Sequence, residues 1–225
     1  MKLLTRFITA AVLIISGTLY ANAGVIIGGT RVIFDGKKKE ASISVNNPDN
    51  TPYLIQSWIE TQSGKNEKPP FIITPPLYRL DKGQQNIERI ILTGTVAQDK
   101  ESLFWLNIKA IPSSTRTENT LQIAVKTRMK LIYRPGSLKG KIPEDVVDKL
   151  VWKRSNNNVI ITNPTPYVIN FNEITVGGKK IKDVGYVLPG STMQYSLPSN
   201  MNDGNISFNI INDYGGAGVF HKAVI

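Results

Sequence analysis

From residue 30 onward, apolar and polar positions trade places every second residue over short stretches, each closed by Gly, Pro, Asn or Asp. That is the period of a half-buried β-strand, whose successive side chains point to opposite faces. Strands are predicted at 30–34, 41–45, 53–60, 71–74, 87–92 and 101–111, and a long one at 121–133 that stops at Arg134-Pro135-Gly136. Asp35-Gly36 reads as a hairpin turn, and Asn46-Asn47-Pro48-Asp49-Asn50 as a loop. Shorter strands follow at 151–152, 159–162, 167–171, 174–176, 185–187, 193–195 and 206–211, with a last one near Val219. Many short strands between turn residues predict β-sandwiches. The polar, Pro-bearing stretch 139–149, with a helical turn near 145–149, reads as a linker between a domain at 24–138 and one at 150–225.

The 121–133 strand holds an ambiguity. Leu121, Ile123 and Val125 share a parity with Met129, Leu131 and Tyr133, whereas Gln122 falls in with Lys130, Ile132 and Arg134. Either the strand changes environment along its length or a bulge intervenes. Alternation alone turns Leu121, Ile123 and Val125 toward this chain's own core.

The N-terminus sets the compartment. Lys2 and Arg6 precede an apolar run at 7–19 and the small-x-small site Ala21-Asn22-Ala23. This reads as a signal peptide, with cleavage expected after residue 23 and a retained anchor as the alternative; the run is short for a spanning helix, which needs about 20 apolar residues. The chain has no cysteine, which removes disulfides, thiolate metal sites and thiol chemistry. Lys and Arg number 27 against 17 Asp and Glu. The basic residues are scattered without interleaved aromatics, so the charge does not indicate nucleic acid; it suits acidic partners or an anionic surface. His221 is the single histidine, and nothing resembles a nucleophile elbow or a metal-ligand spacing. Gly28-Gly29 and Gly215-Gly216 read as turns, and Trp58, Trp105 and Trp152 as core. No enzyme activity, cofactor, metal or small-molecule substrate is expected.

The order of residue types at 96–113, Val-Ala-Gln-Asp-Lys-Glu-Ser-Leu-Phe-Trp-Leu-Asn-Ile-Lys-Ala-Ile-Pro-Ser, resembles the signature of periplasmic pilus-assembly chaperones. The likeness extends to Thr30-Arg-Val-Ile-Phe34, Tyr53-Leu-Ile-Gln-Ser-Trp58, Thr74-Pro-Pro76 and Leu121-Gln-Ile-Ala-Val125. It continues through Lys130-Leu-Ile-Tyr-Arg-Pro135, Asn163-Pro-Thr-Pro-Tyr167 and Ile211-Asn-Asp-Tyr-Gly-Gly216. The resemblance implies two immunoglobulin-like β-sandwich domains set in an L with a cleft between them. It implies that Arg31 and Lys130 grip the C-terminal carboxylate of a pilin subunit. It implies that Leu121, Ile123 and Val125 are lent to the subunit as a donor strand, against the alternation-only reading. Glu101, Arg134 and Asp213 match an interdomain charge triad, Thr74-Pro75-Pro76 a turn that suits a cis bond, and the short 111–121 connection the family's short-loop branch. The implied partners are pilin or fimbrial subunits and an outer-membrane usher, with a self-capping homodimer when no subunit is bound. The alternative is an immunoglobulin-like structural pilus or adhesin subunit. That role needs an N-terminal donor extension, for which 24–29 is short.

Overall fold

The computed structural model describes residues 24–64, 67–113, 121–197 and 204–225; the expected leader at 1–23 and the loop 114–120 lie outside the described residues. In chain order the first half holds β1 (Ile26–Ile27), β2 (Arg31–Asp35), β3 (Glu40–Asn46), β4 (Tyr53–Thr61), β5 (Phe71–Thr74), β6 (Leu77–Leu80), β7 (Gln85–Leu92), β8 (Ser102–Pro112) and β9 (Val125–Arg134). Two 3-10 turns, Gly136–Leu138 and Pro143–Lys149, lead into β10 (Val151–Ser155), β11 (Asn158–Thr162), β12 (Ile169–Val176) and β13 (Lys179–Lys180). The last strands are β14 (Tyr186–Val187), β15 (Thr192–Ser196), β16 (Asn205–Ile210) and β17 (His221–Val224).

The first half stacks a sheet of order β1-β3-β7-β5 on one of order β2-β9-β8-β4-β6. Alternation decides what each strand buries. β4 turns Ile55, Ser57 and Ile59 inward and Leu54, Gln56 and Glu60 outward. Between the sheets lie Phe34, Phe71, Phe104 and Tyr133, with Phe71 edge-on to Phe34 and Phe104 at 5.3 and 5.0 Å. The second half pairs β10-β11-β15 against β13-β12-β16-β17, around Trp152, Phe171 and Phe208. Val146 and Val147, from the second 3-10 turn, pack into this core. The fold is all-β, with two immunoglobulin-like sandwiches. The Thr74–Pro75 bond is cis.

Two expectations are corrected here. Asp35-Gly36 is not a hairpin turn: β2 pairs in parallel with β9, while β3 pairs with β7 in the other sheet, so the chain changes sheet at this turn. Glycine is needed at position 36 for close approach, since a Cβ there would lie 2.7 Å from the Tyr133 hydroxyl and 3.0 Å from the Arg134 carbonyl. Nor does the long strand begin at Leu121; β9 starts at Val125. Its register with β8 runs unbroken from Ala110↔Val125 to Ser102↔Tyr133. No bulge intervenes, so the environment changes along one face: Val125 is 56% exposed, Met129 4% and Tyr133 1%.

Between the first two sheets sits an acid that the pattern did not flag. Glu88 is fully buried, and its Oε1 accepts from Ser57 Oγ at 2.6 Å and the Tyr78 hydroxyl at 3.0 Å. Burial without a cation raises its pKa against the pull of those two donors. The folded state therefore takes up the Glu88 proton at higher pH than the unfolded chain. Its contribution to stability is complete below the ordinary value of 4.5 and is lost as pH rises through the raised folded value. We expect Glu88→Gln to remove this dependence. In urea titrations the variant should gain on the parent between pH 4 and pH 8; a gap independent of pH would contradict it.

Candidate functional site

The site is built on β9, whose margins and faces do different things. On one margin β8 pairs with Val125 to Tyr133; on the other, β2 covers only Lys130 to Arg134. From Val125 to Met129 that second margin has no paired strand among the described residues. Preceding it, Leu121 to Ala124 carry no regular structure. Leu121, Ile123 and Val125 are 83%, 66% and 56% exposed. They do not turn into the core, contrary to what alternation alone suggests. An open strand margin with exposed aliphatics is a template for pairing with another chain.

The parallel register of β2 on β9 sets Arg31 level with Lys130. Both are outward residues, and both are partly buried where the two sandwiches meet. The Arg31 Nη1 donates to the Ile211 carbonyl at 3.4 Å, while its buried Nε has no hydrogen-bond partner among the described residues. Burial pushes the Arg31 pKa down, with Asp213 and Glu144 pulling the other way. The Lys130 ammonium lies 4.7 Å from the centre of the Tyr186 ring. Burial, then the charge of Arg31, brings Lys130 down to about 8. Two adjacent cations, half out of water and, among the described residues, without an ion pair to a carboxylate, form a site ready for an anion that brings its own two oxygens.

Two positions along the same face, past Ile132, stands Arg134. Its Nε donates to Glu101 Oε1 at 2.6 Å, and its Nη1 and Nη2 to the two Asp213 oxygens at 2.6 and 2.8 Å. Glu101 is fully buried, and its other oxygen accepts from the Val168 amide at 2.7 Å. Burial pushes Glu101 up while the guanidinium opposes it, and the two carboxylates hold the Arg134 proton more tightly despite burial. Arg134 and Glu101 come from the first sandwich, Asp213 and Val168 from the second. The cluster thus ties the bodies together, beside an apolar seam of Leu103 and Ile132 against Val168, with Ile33, Tyr186 and Leu188 around it.

Two motifs of the second half are explained by this junction. Asn163 donates to the Tyr167, Val187 and Leu188 carbonyls and accepts from the Thr165 amide, which shapes the 163–167 loop that presents Val168 to Glu101. Asn212 Oδ1 accepts from the Tyr214 and Gly216 amides and so holds Asp213 in its turn. Gly215 in that turn has φ +89°, and a Cβ there would lie 2.2 Å from Thr30 Oγ1, the neighbour of Arg31.

Sequence reasoning missed part of this surface. Trp58 and Trp105, expected in the core, are half-buried on the outward face, where Lys126 and Arg128 lie over their rings at 4.9 and 4.2 Å; Trp152 is in the core. Tyr186 falls in the strand expected at 185–187, where nothing in the pattern marks it as a partner for Lys130. The usable signal was parity: Trp58 and Trp105 alternate out of phase with Ile59 and Leu106. His221 stacks on Phe208 and lies 3.4 Å from Asp148, as a flank of the second core. Among the described residues no group of three or more His, Cys, Asp or Glu is placed to hold a metal.

Two immunoglobulin-like sandwiches joined by a charge cluster, with a cation pair at the junction and an open strand margin beside it, make a two-domain surface suited to pairing with an extended chain. Residues 24–139 match the N-terminal domain of the pili and flagellar-assembly chaperone PapD, and residues 145–220 the C-terminal domain of the pili assembly chaperone PapD. The chain belongs to this family and is a fimbrial, or pilus, assembly chaperone of the chaperone–usher type rather than an enzyme. It is 41% identical over 217 residues to the probable fimbrial chaperone LpfB of Escherichia coli O157:H7, covering 94% of this chain and 93% of that one. To the chaperone FimC of Escherichia coli K12 it is 42% identical over 201 residues, covering 87% and 82%. Among solved structures, a chain of the Salmonella enterica SafA pilin–SafB chaperone complex superimposes with a TM-score of 0.83 at 36% identity, covering 92% of this chain and 99% of that one. The E. coli chaperone DraB gives 0.81 at 36% identity, covering 90% and 96%.

Proposed function

We propose that this chaperone works in the periplasm, after export and cleavage of the leader at 1–23, by lending residues 121–129 to an incomplete pilin subunit. The observation that carries this reading is the open margin of β9, with its exposed aliphatics, running directly into the Arg31–Lys130 pair. The pair holds the subunit's terminal carboxylate and so fixes register. Because the open margin precedes Lys130 in sequence, a strand that ends at Lys130 runs parallel to β9. Its pairing with β9 is strand addition, the mode known for chaperone–pilin complexes. Leu121, Ile123 and Val125 then fill the subunit's groove, each contributing about 1.5–3 kcal/mol on full burial. Without a subunit, a second copy covers the same margin. The charge triad sets the angle between the sandwiches, and the loaded chaperone passes its subunit to an outer-membrane usher.

Serine substitutions at Leu121 and Ile123 test the reading. Both side chains are exposed, so the free chaperone should keep its stability to within about 0.5 kcal/mol. Subunit retained in pull-downs from the periplasm should fall by tenfold or more. Unchanged retention, or an unfolded chaperone, would contradict donor pairing.

A further inference from the structure

The outward face of β9 does more than hold Lys130. Lys126, Arg128 and Lys130 lie along it at every second position, a stride of about 6.6 Å, and each cation lies over a ring: Trp58 at 4.9 Å, Trp105 at 4.2 Å and Tyr186 at 4.7 Å. Trp105 meets Tyr186 edge-on at 6.1 Å, which carries the ring surface under Arg128 on to the junction. The single acid on the outward positions of β4, β8 and β9 is Glu60, 3.5 Å from Arg128 and already accepting from Trp58 Nε1 at 2.8 Å. The Arg128 and Glu60 side chains remain 44% and 32% exposed. This stretch thus presents fixed positive charge to whatever lies beside it.

What lies beside it follows from the open margin. A strand added along Val125–Met129 places its outward positions level with Lys126 and Arg128, within a Debye length of the two charges, which attract acidic side chains there and repel basic ones. Resting on the rings, the two cations point over β8 and β4 and leave that margin clear. We propose that Lys126 and Arg128, held on Trp58 and Trp105, select subunits whose last strand carries acidic side chains on its outward face. With the terminal residue level with Lys130, these positions fall two and four residues before the subunit's C-terminus. The inference rests on the donor-strand reading and adds a charge requirement to it, independent of the aliphatic face that fills the subunit groove.

The test uses the full mature chain and synthetic peptides with an alternating apolar inward face and a free C-terminus. One peptide carries Glu at the two outward positions and one carries Lys; a third is the Glu peptide with its terminus amidated. At low salt the Glu peptide should bind about tenfold or more tighter than the Lys peptide. That ratio should shrink at high salt. It should invert in the chain carrying Lys126→Glu and Arg128→Glu, and vanish in the chain carrying Lys126→Gln and Arg128→Gln. Equal binding of Glu and Lys peptides by the parent, with the amidated peptide still weak, would overturn the charge requirement and leave the carboxylate anchor standing. An amidated peptide that binds as well as the free acid would overturn the anchor, and the proposal with it.

Discussion

Replacing Arg31 or Lys130 with alanine should abolish subunit capture while leaving the free chaperone folded. Each truncation removes one partner of a partly buried, hydrogen-bonded charge pair in the complex, a loss of about 2–5 kcal/mol, or roughly 30- to 5,000-fold in affinity. The free protein gives up nothing comparable. Arg31 and Lys130 sit level on paired strands, each pushed down by burial, and Arg31 lowers Lys130 further. Removing either relieves a repulsion. Each variant also gives up one contact, Arg31 the Ile211 carbonyl and Lys130 the Tyr186 ring, so thermal unfolding should stay close to the parent, while titration with a subunit shows no complex. A variant that binds normally, or one that fails to fold, would contradict the assignment.

The same pair makes a pH prediction with a definite sign. In the free chaperone Lys130 loses its proton near pH 8; with a carboxylate bound, the ammonium is held to higher pH. Binding above about pH 8 therefore takes up a proton, and affinity should fall as pH rises, by at most about tenfold per unit. Lys130→Arg, whose charge does not titrate in this range, should flatten that profile.

The second large effect concerns the junction. Arg134→Ala strands a Glu101 carboxylate whose side chain has no exposure and leaves the Val168 amide as its remaining partner. Breaking a buried pair from one side costs about 3–5 kcal/mol. Urea titration should show that loss. The double replacement Glu101→Leu with Arg134→Met removes both charges together and should recover most of the stability. What it should not recover is a single angle between the sandwiches. Small-angle scattering of the double variant should broaden relative to the parent; a double variant as unstable as Arg134→Ala, or a profile identical to the parent, would count against a role in orientation.

Much of the architecture was readable from alternation, because each strand of a sandwich buries one face and wets the other. The exceptions have physical causes. Asp35-Gly36 carries a hairpin's residues, yet β2 finds its partner in β9, almost 100 positions away, and no local pattern encodes a parallel pairing of that range. Leu121 and Ile123 alternate as a core strand does yet are exposed; under the donor-strand proposal this follows, since a strand that completes another protein's core needs the same side chains as one that completes its own. Trp58 and Trp105 read as core because a tryptophan is more often core than a ligand platform, whereas their parity with Gln56 and Asn107 sets them on the outward face, under cations. Arg31, Lys130, Glu101, Arg134 and Asp213 were picked out by resemblance alone. Charges spread from 31 to 213 have no period, and only the folded register brings Arg31 level with Lys130 and Asp213 onto Arg134. Glu88 was passed over because one acid at an inward position reads as noise until Ser57 and Tyr78 are seen to meet it.

Amide hydrogen exchange of the chaperone, free and loaded with a subunit, tests the central claim most directly. At concentrations where the free protein is monomeric, exchange at 121–124 and at those amides of 125–129 that β8 does not hold should be fast; in the complex it should slow by tenfold or more, with the new protection ending where β2 takes over at Lys130. Unchanged exchange across that segment, with new protection on β5 or β13 instead, would show that the subunit is held by another edge.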